Sequence, residues 1–363
     1  MAEIPVSLLM AISGFAIGGA FGATARLAEF CTLGAIADAF LGADRRRLRS
    51  WLLAIAVATL LSQAMDATGW IDLRQSVYLT SDFPWLGAAF GGLCFGFGMA
   101  LVGTCGYGAL VRLGGGDLRY LVVAVVLGVA AHMTLGGLFG VFRVSIIETT
   151  NLDLAARSQG LVDLAAEATV LSASDLRWPL VAAIVLGLLL YCCADRGFLR
   201  SSAALLGGGL MGLLVAAAWF ATGVLGADDF DPAPLRSLTF VTPVGDALLY
   251  LMTFTGSTLD FGIGSVAGVV AGAFLANLAK GTLRLEGFDG RREMVRHLGG
   301  AILMGFGGVT ALGCTVGQGI TAISTLALSG PLALAAIFLG AYLGLRFLET
   351  GRLWRRASPI SAR

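Results

Sequence analysis

Continuous apolar runs, too long for the helices of an ordinary soluble domain, recur along almost the whole of this chain. They cover about 7–27, 51–69, 85–104, 119–142, 178–194, 201–225, 245–279 (broken near 256–264), 297–313 and 331–348. A bilayer core takes roughly 20 residues of helix. With no water there to satisfy backbone groups, only helices or closed barrels can span it. Barrel strands would alternate with period two, and these runs do not. Composition agrees: 57% of the 363 residues are hydrophobic and 13% charged, against about a quarter charged in a soluble domain, and the mean hydropathy is +0.86. The chain reads as an all-α polytopic membrane protein of about nine transmembrane helices. Its formal charge of +1 gives no case for nucleic acid.

Orientation follows from the loops. Arg45, Arg46, Arg47 and Arg49 separate the first two runs; Lys280, Arg284, Arg291, Arg292 and Arg296 precede the eighth; Arg352, Arg355 and Arg356 close the chain. An odd number of spans puts all three groups on one side, expected to be cytoplasmic in an inner membrane, with the N-terminus outside. Trp51, Trp70, Trp85, Trp178 and Trp354 fall at run edges, as interfacial rings should. Met1-Ala2-Glu3-Ile4-Pro5 lacks the basic region of a cleavable signal.

Inside this background one lettering occurs twice. Gly96-Phe97-Gly98 is followed after six residues by Cys105-Gly106-Tyr107-Gly108, and Gly305-Phe306-Gly307 after six by Cys314-Thr315-Val316-Gly317. Glycine costs about 1 kcal/mol in a helix interior relative to alanine, so such clusters mark helix breaks or very close packing. Recurrence of the thiol at one offset favours breaks, with the cysteines turned to a buried path. For Gly18, Gly19, Gly22, Gly268 and Gly272, spacing alone favours packing. The two motif runs enter from opposite sides, the signature of an inverted repeat. The halves are expected at 1–142 and 236–363. An insertion at 143–235 then carries two extra transmembrane helices and an outer amphipathic segment at 144–177.

Six cysteines are present, with no CxxC pair and no Cys/His set of zinc spacing, so neither a metal site nor a cofactor is expected. Cys94, Cys192 and Cys193 read as small hydrophobes. Cys31 follows a glycine-rich span and precedes a short amphipathic piece, resembling a third broken-helix position. His132 and His297 each stand alone in the sequence. Glu29, Asp38, Asp195, Asp246 and Asp260 lie near span edges or breaks, with solvated or capping roles weighed against proton relay.

Phe30-Cys31, Gly103-Thr104-Cys105-Gly106-Tyr107-Gly108 with Arg112-Leu113-Gly114-Gly115-Gly116, and Gly313-Cys314-Thr315-Val316-Gly317-Gln318-Gly319 with Leu326 resemble the YeeE/YedE sulphur-transport family. Its best-understood members are thiosulfate permeases. The resemblance covers both halves but not the insertion. It implies an hourglass-shaped helical transporter in which Cys31, Cys105 and Cys314 relay thiosulfate inward. The motif glycines Gly103, Gly106, Gly108, Gly313 and Gly317, with Thr315, would then border the path. Arg112 reads as a cytoplasmic exit guide or as a positive-inside anchor. Two departures stand out: only Arg26 remains of the basic residues before the first thiol, and Gly115 replaces the family's glutamate.

The chemistry suits that role. A dianion must exchange water for donors strong enough to admit it and weak enough to release it. Helix N-termini and glycine N–H groups provide partial positive charge, and a neutral thiol is a weak S–H donor. The leading function is therefore import of thiosulfate or a related sulfur anion, by a transporter and not an enzyme, with membrane lipid and a cytoplasmic sulfur-carrier protein as partners. The alternatives are a membrane thiol oxidoreductase, or a transfer protein for persulfide or selenium species. No G-x-x-x-x-G-K-[ST] motif occurs.

Overall fold

The computed structural model describes residues 5–350 except 41, 43, 155–157, 170 and 229–232. Trp354, Arg352, Arg355, Arg356, Arg157 and the first four residues lie outside the described residues. The described residues are mostly helical: α1 (Val6–Leu27), α2 (Thr32–Phe40), α3 (Arg46–Ala67), α4 (Gly92–Val102), α5 (Gly106–Gly114), α6 (Arg119–Leu135), α7 (Leu138–Phe142), α8 (Leu161–Ala168), α9 (Ala173–Cys193), α10 (Arg196–Leu199), α11 (Ser202–Phe220), α12 (Thr242–Met252), α13 (Phe261–Lys280), α14 (Arg291–Thr310) and α15 (Ser329–Thr350). Wider π-helical turns occupy Gly87–Gly91, Arg143–Ile147, Ala221–Leu225 and Gly317–Ala322. Two short strands, β1 (Asp82–Phe83) and β2 (Leu152–Asp153), pair antiparallel on one surface.

Among the described residues, seven helical stretches are long and apolar enough to cross a membrane, or eight if α6 and the helical segment after it, bent by 46°, form one span. The shortfall from nine has a local cause. α14 begins with Arg291, Arg292, Glu293 and Arg296, and α6 makes a full span only with the bent segment after it, while α13 alone carries the span of the run expected at 245–279. Large apolar side chains such as Ile12, Phe15, Leu186, Leu190, Leu206 and Leu275 stand on outer helix faces, as a polytopic membrane protein requires. Trp51 departs from expectation: it is 2% exposed and stacks on Phe30 at 4.7 Å, in the core and not at an interface, whereas Trp70 and Trp178 are exposed.

Glycine decides how closely the helices pack. On α1, Gly14, Gly18 and Gly22 face the backbone of Phe261, Ser265 and Val269 on α13; in return Gly264, Gly268 and Gly272 face Ala11, Phe15 and Gly19. Both rows repeat every four residues, the spacing of one helix ridge. A Cβ at any of the six would enter the partner's main chain. The packing expectation for Gly18, Gly22, Gly268 and Gly272 therefore holds.

The same device recurs. α11 meets α3 through Gly208 and Gly212, α4 meets α15 through Gly92, Gly96 and Gly340, and α14 meets α6 through Gly305. At the centre α4 crosses α14 with reciprocal contacts: Gly98 faces the Gly300 carbonyl and Gly300 the Gly98 carbonyl, and Gly91 and Gly307 exchange in the same way.

The segment expected to form an outer amphipathic helix does so only at α8. Before it, Ser158 and Gln159 are buried. The Gln159 carbonyl accepts from the Leu328 N–H (3.1 Å) and the Leu161 N–H donates to Leu326 (2.9 Å), so the strand-like strap is wedged beneath the chain after the Gly317–Ala322 turn.

Candidate functional site

The three thiols stand in one repeated local geometry. Each follows a long helix that has just ended and opens a short one. Two residues before each cysteine the backbone is left-handed: Glu29 (φ 51°), Gly103 (φ 82°) and Leu312 (φ 60°). That conformation is easy for glycine and costs the other two on the order of 1 kcal/mol or more each. Each cysteine then serves as the N-cap, its carbonyl accepting from the fourth residue on: Ala35 (2.9 Å), Ala109 (2.9 Å) and Gln318 (2.8 Å).

The sulfur takes the place of a capping serine oxygen. Gly34 N–H points at Cys31 Sγ (3.4 Å), Gly317 N–H at Cys314 Sγ (3.5 Å), and Gly108 N–H at the Cys105 sulfur. Cys-x-x-Gly is thus written three times. A Cβ at residue 317 would stand 2.7 Å from Thr239 Oγ1, and one at 108 would strike the Thr104 hydroxyl and stand 3.6 Å from Cys105 Sγ. Glycine lets each of these N–H groups approach its thiol without a side chain crowding the neighbouring threonine or arginine.

The three loop tips meet. Thr32 Oγ1 donates to Thr315 Oγ1 (3.2 Å) and lies 3.7 Å from Cys105 Sγ; the Thr315 hydroxyl also faces the Cys105 sulfur. Cys105, Cys314, Thr32 and Thr315 are all 0% exposed. Cys105 and Cys314 therefore come from distant parts of the chain to one interior focus, and neither faces outward. Tyr107 hydroxyl fixes the first tip by donating to the Phe30 carbonyl (2.7 Å). A fourth irregular tip, lacking a thiol, completes the set: the Thr239 hydroxyl and Phe240 N–H face the Cys314 sulfur. The Phe240 ring packs on Phe21 (5.4 Å) and Tyr107 (6.2 Å).

Cys31 is partly exposed and lies in the wall of a cavity of about 550 Å³, whose lining also includes Thr104, Tyr107 and Gly108, the cations of Arg26, Arg47, Arg112 and Arg284, and the carboxylates of Glu29, Asp117 and Glu286. Arg112 is not among the thiols. It sits in the last turn of α5, donates to the Tyr120 hydroxyl (2.5 Å) and lies over that ring at 5.1 Å. Arg26 is tied to Asn277 (2.5 Å) and Thr282 (3.1 Å), and Arg47 to Glu29 (3.3 Å) and Asp38 (3.1 Å). Asp195 and Asp260 cap α10 and α13, accepting from Gly197 and Ile263 (both 2.8 Å).

Gly103 provides the left-handed turn, Gly106 opens α5 with its Cα side against the Phe240 carbonyl, and Gly313 packs against the Gly317 backbone. Sequence reasoning missed Thr32, Thr239 and Phe240. The first could have been found from the shared Cys-Thr pair at 31–32 and 314–315; the other two carry no comparable signal.

Comparison with known proteins gives the same direction. Over 357 residues the chain is 26% identical to the thiosulfate transporter TsuA of Escherichia coli (strain K12), covering 92% of this chain and 93% of that protein. It is 25% identical over 331 residues to the thiosulfate transporter TsuA of Spirochaeta thermophila, covering 90% and 96%. The model of the sulphur transport family matches residues 27–343. The chain belongs to the sulphur transport family.

Proposed function

We propose that this protein carries thiosulfate, or a sulfur anion of closely similar shape, into the cytoplasm across an inner membrane, and that it is a transporter and not an enzyme. The observation that carries the reading is the threefold Cys-x-x-Gly cap. Three thiols, each at the positive end of a short helix, gather where Thr32, Thr315 and Cys105 touch. Each tip offers a soft S–H donor, a glycine N–H that already points at the sulfur, and a hydroxyl close by. The terminal sulfur of the anion would accept from the thiol while its oxygens take the hydroxyl and N–H donors. The partial charge of a helix end attracts a dianion without the trap of a fixed cation at the same point.

The path runs from Cys314 past Cys105 to Cys31 and out through the cavity that Cys31 lines, where four arginines outnumber three carboxylates. Arg112 and Arg284 guide release there, toward a sulfur-carrier protein at the cytoplasmic surface. Collection of Arg26, Arg47, Arg112 and Arg284 at one mouth supports a cytoplasmic assignment for that end, with the N-terminus outside.

The helix pairs support an inverted repeat with its second half beginning earlier than residue 236. α1 packs on α13 as α11 does on α3, and α4 on α15 as α14 does on α6. The halves would then be α1–α6 and α11–α15, leaving α9 as the one spanning helix of the insertion.

The test is initial uptake of labelled thiosulfate in cells lacking other routes. Cys105→Ala and Cys314→Ala are each expected to lower it at least tenfold at unchanged protein level. Wild-type uptake by the double variant would overturn the mechanism.

A further inference from the structure

His132, alone in the sequence, meets a partner in the fold. On α6 its Nε2 lies 3.5 Å from Asp246 Oδ1 on α12, an ion-pair separation too long for a good hydrogen bond. The side chains are 33% and 28% exposed, and Nε2 itself is buried with no hydrogen-bond partner among the described residues. Gly245 makes the meeting possible. A Cβ there would stand 2.8 Å from the imidazole Cδ2 and 3.0 Å from the Gly128 carbonyl, so α6 and α12 touch along their main chains beside the ring.

The charged groups facing Asp246 are His132 from α6, Asp260 at the start of α13 and Arg236 in the connection before α12. Arg236 and Asp260 pair at 2.8 Å and both line a cavity of about 150 Å³ beside Val6, Ser7 and Thr258. An acid and a base are therefore held among apolar helices, backed by an ion pair that borders a second cavity, on the side of the thiol cluster away from Arg112. Withdrawing two charges from water costs about as much as their attraction returns, so stability alone is a poor reason for the pair, and ionisable groups at membrane depth more often move charge.

The pair is also mechanically close to the thiol site. Asp246 lies one helical turn after Thr242, where α12 begins, and the residues leading into that turn include Thr239 and Phe240, which face Cys314. A change of charge at Asp246 would act on that tip. Inward movement of a dianion is opposed by a negative-inside potential, and each proton travelling with it cancels one charge.

We propose that His132 and Asp246 form a proton-binding site that couples sulfur-anion import to proton entry. The proton arrives from the Arg236–Asp260 cavity, is held by the Asp246 carboxylate and His132 Nε2, and is released inward as the anion passes. The inference rests on the transport function proposed above, and its test separates the two.

Purified protein in liposomes is given labelled thiosulfate with and without an inward proton gradient of one pH unit at zero potential. Wild-type accumulation is expected to rise about tenfold per coupled proton. Asp246→Asn and His132→Gln should transport down a thiosulfate gradient yet lose the stimulation, and Asp246→Glu should regain part of it. Size-exclusion profiles matching wild type show that each variant is folded; a variant that fails this is replaced by His132→Asn, which shortens the reach to Asp246 without entering the α6–α12 backbone contact and should lower the stimulation. Cysteine-dependent uptake that ignores the gradient, or that keeps full stimulation in the folded variants, overturns the coupling and leaves transport standing. Absence of uptake under every condition overturns both.

Discussion

The Thr32–Thr315 pair offers the sharpest test of how the thiol cluster works, because Thr→Val removes a hydroxyl and keeps the shape. Both residues are 0% exposed and their oxygens are 3.2 Å apart, with Cys105 Sγ 3.7 Å from Thr32. A neutral hydrogen bond is worth about 1 kcal/mol net, and a partner left buried and unsatisfied costs about 1–3 kcal/mol. Thr315→Val removes the acceptor of Thr32 and one hydroxyl beside the Cys105 sulfur. If these hydroxyls also contact the passing anion, the barrier rises by at least about 1 kcal/mol, so initial uptake falls about fivefold or more. Thr32→Val should act similarly. Because each change already strands the other oxygen, the double variant should lose less than the two single losses combined, with a coupling of about 1 kcal/mol. The assay is labelled thiosulfate uptake at low concentration in all four proteins, normalised to folded protein. Strict additivity, or uptake unchanged in both single variants, would refute the argument that these hydroxyls act as one unit at the focus.

Two further outcomes follow from packing and charge. Gly268→Val drives a side chain into the Phe15 carbonyl across the α1–α13 contact; overpacking of this kind costs roughly 1–3 kcal/mol or more, and fluorescence-detected size exclusion after heating should show a clear loss of monodisperse protein, while Gly187→Val, which meets nothing within 4 Å, should not. The Glu293 carboxyl is held below its usual 4.5 by the Asp289 N–H and the nearby Arg119. A lowered folded value means a contribution present above about pH 4.5 and lost as pH falls through the folded value. Thermal stability in detergent should therefore drop below that pH more steeply in wild type than in Glu293→Gln, and parallel profiles would exclude Glu293 as a source.

Membrane spanning was legible because it depends on long apolar runs, which need no tertiary knowledge. A glycine cluster that ends in cysteine likewise conflicts locally with a continuous helix, a conflict visible in the lettering alone. What sequence could not reveal was chemistry at a tip with no distinctive residue. Thr239 and Phe240 reach Cys314 only because α12 starts where it does, and nothing in Leu238-Thr239-Phe240-Val241 differs from an ordinary loop. Trp51 misled because an indole at the end of an apolar run suits an interface and a core equally well; its stacking on Phe30 depends on where α2 folds back. The helix beginning at Arg291 carries its charge in the first turns, ahead of the apolar run expected at 297–313. His132 could not be paired from sequence, since Asp246 belongs to a helix whose register against α6 is fixed by the glycines at 128 and 245.

The interlocked glycine rows of α1 and α13 also restrict what movement this protein can use. With main chain lying on main chain at every turn, a small axial slip would push a Cα into a carbonyl, and the next permitted register is four residues away, about 6 Å along the axis. Sliding between those helices is therefore all or nothing, and gradual adjustment is left to the short segments they carry. The two helices are thereby locked to one another in register, and the short turns that bear the three thiols stand outside that interlock.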